Sequence, residues 1–320
     1  MNLNSIKEKI KHEAEARDAL AFGVARADVV DERYVDRYLG WLAKGHNAGM
    51  TYASNHIEIR RDPRLLLPGA RSIISLAFGY TGNAHRDPSL PSISEYALLP
   101  DYHDWVREIC REIIKSVSDG TGLDPKTDFR ICVDSAPIFE RYWAQKAGVG
   151  FTGRNGNIIT ERGGSRVILA EILTTLNLEA DLPYPDERAC GNCSACVRAC
   201  PTGALQPDGT LDCNRCLSYL TIEHRGEWNL PVMTDAMGTP AGRHTLFGCD
   251  RCVKACPHNW KNAEAPVQSI AEVCKLTSEY VRDITPEQFS ILFKGTALKR
   301  AKAEGLKRNA LNCLGEKKEN

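Results

Sequence analysis

Two cysteine runs constrain this chain more than anything else in it: Cys190-Gly-Asn-Cys193-Ser-Ala-Cys196-Val-Arg-Ala-Cys200-Pro201 and Cys249-Asp-Arg-Cys252-Val-Lys-Ala-Cys256-Pro257. The first is the C-x2-C-x2-C-x3-C-P spacing of bacterial two-cluster ferredoxins. Such close spacing lets one tight loop wrap several thiolates around a cube face, with backbone N–H groups pointing at the sulfides. In that arrangement the fourth cysteine of each run ligates the other cluster. Cys190, Cys193, Cys196 and Cys256 therefore form the expected ligand set of one [4Fe–4S] cluster. Cys200, Cys249 and Cys252 belong to the second, whose remaining ligand is Cys213 or Cys216. Paired C-x2-C knuckles for zinc are the competing reading, and the C-x3-C-P tails argue against it. Cys110, Cys132, Cys274 and Cys313 stand alone and read as small buried apolar residues.

Clustering of most of the 13 cysteines between Cys190 and Cys256 points to metal ligation in a reducing compartment rather than to disulfides. The charged N-terminus lacks an apolar signal core, and no apolar run reaches the length of a membrane span. A soluble cytoplasmic protein without membrane association is expected, and nothing demands an oligomer, so a monomer is expected too. Lys+Arg and Asp+Glu both total 41, so net charge commits the chain to no partner. The stretch from Phe293 to Lys318 is nevertheless strongly basic.

Residues 2–20 read as one amphipathic helix and 31–45 as a second, with Asp31 as its N-cap. Ser72–Phe78 is a short buried strand, 81–95 a loop, and Tyr102–Val117 a helix. Phe129–Val133 reads as a strand ending at Asp134. A helix then follows Pro137, which suits a first turn, and by itself Asp134 reads as its N-cap. Asn157–Thr160 and Arg166–Leu173 are further strands, set among Gly148, Gly150, Gly153 and Gly156. Residues 1–180 thus form a mixed α/β domain. Residues 181–188 are a Pro-rich linker, the cluster module ends near 262, and 263–320 is a helical, basic tail. An electron carrier needs only the small module, so the large domain is where the electrons are used.

Particular motifs name a family. RRDPRLLLPGARSI (60–73), DYH (101–103), DSAPIFER (134–141), AGVGFTGRN (147–155), CGNCSACVRACPTGAL (190–205), RCLSYLTIEHRG (215–226), GCDRCVKACP (248–257) and FKGTALKRAKAEGLKRNAL (293–311) resemble, in this order, the epoxyqueuosine reductases. These are cobalamin-dependent enzymes of tRNA modification. The resemblance spans nearly the whole chain. It implies an α+β protein: a nitroreductase-like domain over 1–180 with an N-terminal helical cap, binding cobalamin base-off beside a ferredoxin-like two-cluster module. The implied reaction is reduction of epoxyqueuosine to queuosine at the tRNA wobble position, the last step of queuosine biosynthesis. A low-potential donor of flavodoxin or ferredoxin type would feed the clusters.

The same resemblance implies roles for single residues. Asp134 matches the proton donor, Arg60, Asn155, Ile158 and Ser218 match positions near cobalamin, and Cys216 matches the last ligand of the second cluster. Arg225 matches a tRNA-facing position, and Lys299, Arg300 and Arg308 of the basic tail would join it at phosphates. Binding through them would weaken steeply with salt. Gly153-Arg154-Asn155 stands where many members have Gly-Lys-Asn, and Leu98-Leu99-Pro100 where many have an Arg and a Gly before DYH. The HEAT-like repeat domain of some members is expected to be missing. Converting an epoxide to an alkene takes two electrons and two protons, the oxygen leaving as water. An acid at Asp134 would serve, with burial expected to raise its pKa. Two other readings are a pure electron carrier without corrinoid and a corrinoid reductase of small molecules.

Overall fold

A computed structural model of the protein describes residues 2–83, 85–185, 190–259 and 263–316. Its centre is a four-stranded antiparallel sheet in the order Ala19–Arg26, Ser72–Gly79, Val167–Thr174, Phe129–Cys132. Side chains alternate between two faces. Ile74, Leu76, Phe78, Ala170 and Ile172 pack under the helices Leu3–Glu15 and Tyr102–Ser118. Ile73, Ala77, Cys132 and Leu173 face the other way, under Val35, Trp143 and Ala144. A sheet covered on both sides has few polar positions to spare, and the middle strands are buried almost throughout.

The first helix stops at Glu15, well short of residue 20. Asp18 turns the chain through a left-handed conformation, φ 62°, and Ala19–Arg26 becomes an edge strand. That strand escapes the sequence reading because ALAFGVAR is rich in small residues with no strand bias. Gly23 within it is obligatory: a Cβ there would lie 1.9 Å from the Ala147 carbonyl oxygen, at the end of the helix Glu140–Lys146. Gly23→Val is expected to lower stability by about 3 kcal/mol, since backbone rather than a yielding side chain must move. Thermal unfolding measures this, and an unchanged melting temperature would show the contact to be slack.

Asp31 caps the helix Glu32–Ala43, its Oδ1 accepting from the Arg33 N–H at 2.9 Å. The expectation that Asp134 caps a Pro137-led helix is corrected. That helix begins at Glu140 and is preceded by Phe139 with no side-chain cap, while Asp134 is left-handed at φ 57°. The loop expected over 81–95 contains the two-residue strand Ser92–Ile93, which pairs in parallel with Thr245–Phe247. Of the linker, 181–185 are described and lie against the first domain: Asp181 takes the Lys7 ammonium and the Val24 N–H, both within 2.8 Å. Residues 186–188, position 262, and Lys317 and Lys318 lie outside the described residues.

Within the cysteine-bearing part, the one-turn helices Ala195–Arg198 and Arg251–Lys254 pack on each other. The C-terminal helix Lys302–Leu314 runs beneath Leu217–Ile222 and Thr245–Phe247. Its Asn309, fully buried, donates to the carbonyls of Thr221 and Leu246 at 2.8 and 2.9 Å. Ile93, Ala97 and Leu98 share one core with Phe247, Phe289, Phe293 and Leu306. Among the described residues no helix is long and apolar enough to cross a membrane.

Candidate active site and cluster module

The eight conserved-spacing thiols separate into two groups in space. Cys190, Cys193, Cys196 and Cys256 line one small cavity together with Asn155, Ile159 and His258. Cys200, Cys249 and Cys252 gather with Cys216, each close enough to feel the others' charge. Cys213 neighbours Cys216 but is buried in an apolar cluster with Leu217, Leu220 and Met233. Backbone N–H groups point at the sulfurs. The Arg154 amide donates to Cys190 Sγ at 3.2 Å, Cys200 receives from Thr202, Ala204 and Leu205, and Cys216 receives from Ser218 and Tyr219. Such donors stabilise the negative charge of a thiolate-bound cluster. Among the described residues no three His, Cys, Asp or Glu converge closely enough for a single ion. Of the isolated cysteines, Cys110, Cys132 and Cys274 are buried and Cys313 is half-buried.

Asp134 lies at the end of the strand Phe129–Cys132. Its side chain is 59% exposed and stands in an open cleft framed by Tyr102, His103 and Glu140. Tyr102 donates to Asp134 Oδ2 at 2.7 Å. His103 Nε2 is 3.2 Å from the same oxygen, and its Nδ1 is 2.7 Å from Asp101 Oδ1. Both ring nitrogens are therefore taken by carboxylates and neither is offered to a metal. The Asp134 N–H donates to Glu140 Oε1 at 2.5 Å.

The expected upward shift of Asp134 is corrected by these contacts. Burial alone pushes it up, but the hydrogen bonds of His103 and Tyr102 and the charges of His103 and Arg141 outweigh burial and hold it below the usual carboxylate range. The proton resides on the neighbour instead. Burial pushes His103 down, but Asp101 and Asp134 together lift it to about 9. The sequence reading quoted DYH as a motif without giving Tyr102 and His103 a task. Their signal was there, since two adjacent polar aromatics after the N-cap Asp101 are aimed by the helix start.

The rim of the cleft is aromatic and cationic. Tyr52, Tyr96 and Arg300 all feel the Asp134 charge. Burial pushes the Tyr52 hydroxyl up to about 12. Arg300 grips Glu223 through two 2.7 Å bonds and stands 5.8 Å from the centre of the Tyr52 ring. Arg225 donates to the Arg300 carbonyl at 2.8 Å, and Lys299 is exposed beside it. Arg60 lies 5.8 Å over the Phe139 ring and reaches the Tyr52 and Asn55 carbonyls. Asn155 bonds Ser165 at 3.4 Å and borders the first thiol cavity. Ser218 sits in the helix next to Cys216.

Ile158 is 2% exposed in the core beneath the sheet, so its main chain rather than its side chain is open to a ligand. One sequence expectation needs correction. Arg308 is also buried, spending its guanidinium on the carbonyls of Leu220, His224 and Gly226 and stacking on Trp228. It cannot face a phosphate. Arg308→Ala is expected to cost about 3 kcal/mol, because three carbonyls lose their donor, and to leave the salt dependence of RNA binding intact. Arg300→Ala is expected to do the reverse, lowering the slope of log affinity against log salt by about 1.

A family profile described as epoxyqueuosine reductase QueG, DUF1730, matches residues 60–135, and one described as a 4Fe-4S double cluster binding domain matches 189–259. An epoxyqueuosine reductase of Gloeobacter violaceus is 36% identical over 315 residues, 96% of this chain and 95% of that protein. One of Cyclobacterium marinum is 36% identical over 90% of both chains. Among solved structures, an epoxyqueuosine reductase with a tRNA-Tyr epoxyqueuosine-modified stem loop is 28% identical and superposes with a TM-score of 0.81, over 98% of this chain and 82% of that one. A Bacillus subtilis epoxyqueuosine reductase, captured with its catalytic loop swung out of the active site, is also 28% identical, with a TM-score of 0.81 and the same coverage.

Proposed function

Since this chain belongs to the epoxyqueuosine reductases, we propose that the Asp134 cleft is where epoxyqueuosine in tRNA is reduced to queuosine, with Asp134 delivering the proton to the departing oxygen. The single observation that carries this is the Asp134 carboxylate on the floor of an open cleft, hydrogen-bonded to His103 and Tyr102. The residues fit the cofactors of the family. The two thiol sets have the donor chemistry for two [4Fe–4S] clusters. Beside them, Arg60, Asn155, Ser218 and the Ile158 main chain would hold cobalamin, in a nitroreductase-like domain. When bound, cobalamin and the clusters supply the two electrons, passed singly from an external donor of flavodoxin or ferredoxin type.

The chain's own residues do the rest. His103 holds a proton between two carboxylates and shares it with Asp134, so the acid is ready although Asp134 by itself is a strong one. Tyr102 fixes the carboxylate's direction. Arg225, Lys299 and Arg300 at the rim meet the anticodon backbone, and the Tyr52 ring offers a stacking plane for a splayed base. The second group of ligands is Cys200, Cys216, Cys249 and Cys252, the first Cys190, Cys193, Cys196 and Cys256. The protein works as a monomer.

Anaerobic reconstitution with iron, sulfide and cobalamin, followed by mass analysis of nucleosides from epoxyqueuosine-containing tRNA, tests this. The expected outcome is queuosine with cobalt and iron both bound. Iron without corrinoid would leave an electron carrier. Corrinoid without affinity for RNA would leave a reductase of small molecules.

A further inference from the structure

Glu171 is out of place for a structural strand. It sits mid-strand in Val167–Thr174, opposite Ser75 and Cys132, and is 0% exposed. One carboxyl oxygen takes the Ser75 hydroxyl at 3.2 Å, and the other has no hydrogen-bond partner. A buried, half-satisfied acid costs stability, and its ionisable neighbours are Glu140, Cys110 and Cys132. Glu140 opens the helix that covers this face of the sheet, and reaches back to the Asp134 N–H. Asp134 is a non-glycine residue in the left-handed region, a conformation held only when its surroundings over-determine it. Tyr102 and His103 hold its side chain, Arg107 holds the flanking Val133 carbonyl and Ser135 hydroxyl, and Glu140 holds the Asp134 N–H itself.

We infer that Glu140 is a positioning residue: its carbonyl oxygen latches the Asp134 backbone so that the Asp134 carboxylate stays on the cleft floor. This deepens the proposed role of Asp134 and rests on it. Without the latch the chain relaxes toward negative φ and carries the carboxylate off the axis that Tyr102 and His103 define. Burial, then the Asp134 charge, push Glu140 up to about 8. Near neutral pH it is therefore largely the uncharged acid, which glutamine imitates: both present a carbonyl oxygen in the same place.

The test uses holoenzyme loaded with cobalamin and both clusters, epoxyqueuosine-containing tRNA as substrate, and hydrogen exchange at the Asp134 amide. Glu140→Ala is expected to lower kcat about 10²-fold, the scale of a misplacement of about 1 Å, with KM for tRNA within about twofold. Exchange at Asp134 should quicken at least about tenfold as its bond is lost. Glu140→Gln should restore kcat to within about threefold and restore slow exchange. Glu140→Asp, which folds readily but retracts the acceptor by one carbon, should behave like Glu140→Ala. Wild-type kcat and exchange in Glu140→Asp would overturn the inference, as would a Glu140→Gln enzyme as slow as the alanine variant. Asp134→Asn is measured alongside. Should it keep full turnover, the proton-donor reading fails, while exchange at residue 134 still reports on the latch.

Discussion

Asp134→Asn enzyme carrying cobalamin and both clusters will turn over about 10²- to 10⁴-fold more slowly than the wild type, the range that a lost general acid commands. The asparagine keeps the hydrogen bond from Tyr102 and nearly the shape of the carboxylate, so binding of tRNA should survive. It cannot pass the proton held on His103. The pH dependence follows with a definite sign. His103 is raised from its ordinary value to about 9, so the His103–Asp134 pair keeps its proton below about pH 9 and surrenders it above. Turnover should therefore fall on the alkaline side, near pH 9 rather than near 6.5. The same shift makes His103 a stabilising group whose contribution is complete below its unfolded pKa and is lost as pH rises through about 9. Single-turnover rates across pH 6–10, with cofactor content verified by absorbance, decide the matter. An asparagine enzyme with full turnover, or an alkaline limb that ignores His103→Ala, would remove the pair from the reaction.

The second large effect separates two neighbouring cysteines. Cys216→Ser should halve bound iron, from about eight to about four atoms per chain, and abolish turnover, because one set of thiols loses a member. Cys213→Ser, three residues away, should retain the iron and most of the activity. Its side chain lies among Leu217, Leu220 and Met233, so the cost there is a modest loss of packing. Iron analysis and the electron paramagnetic resonance of the reduced protein measure both. Equal iron loss in the two variants would sink the assignment of Cys216.

Much of this was legible in the residues. The cysteine spacing announces two clusters, because ligands for a cube must come from one tight loop. Ser72–Gly79 and the helix Tyr102–Ser118 read correctly because their periodicity is set by burial on one or both faces. Ala19–Arg26 was illegible, since small residues there answer to the approach of Ala147 to Gly23, a contact 124 residues distant in sequence. The left-handed turn at Asp134 was illegible for a related reason. The Asp134 N–H meets Glu140 six residues on and its carboxylate meets Tyr102, contacts that no local pattern announces, and DSAPI by itself favours a cap. Arg308 looked like its cationic neighbours because sequence shows charge and not direction. Lys299 is exposed and Arg300 pairs with Glu223 at the surface, whereas Arg308 turns inward onto three carbonyls.

The pairing of Ser92–Ile93 with Thr245–Phe247, and the core they share with the C-terminal helices, has a consequence for biosynthesis. All eight candidate ligands are synthesised before Phe289, Phe293, Leu306 and Asn309, which seat the segments between them. The last residues made therefore complete the core that seats the segments between the two cysteine runs.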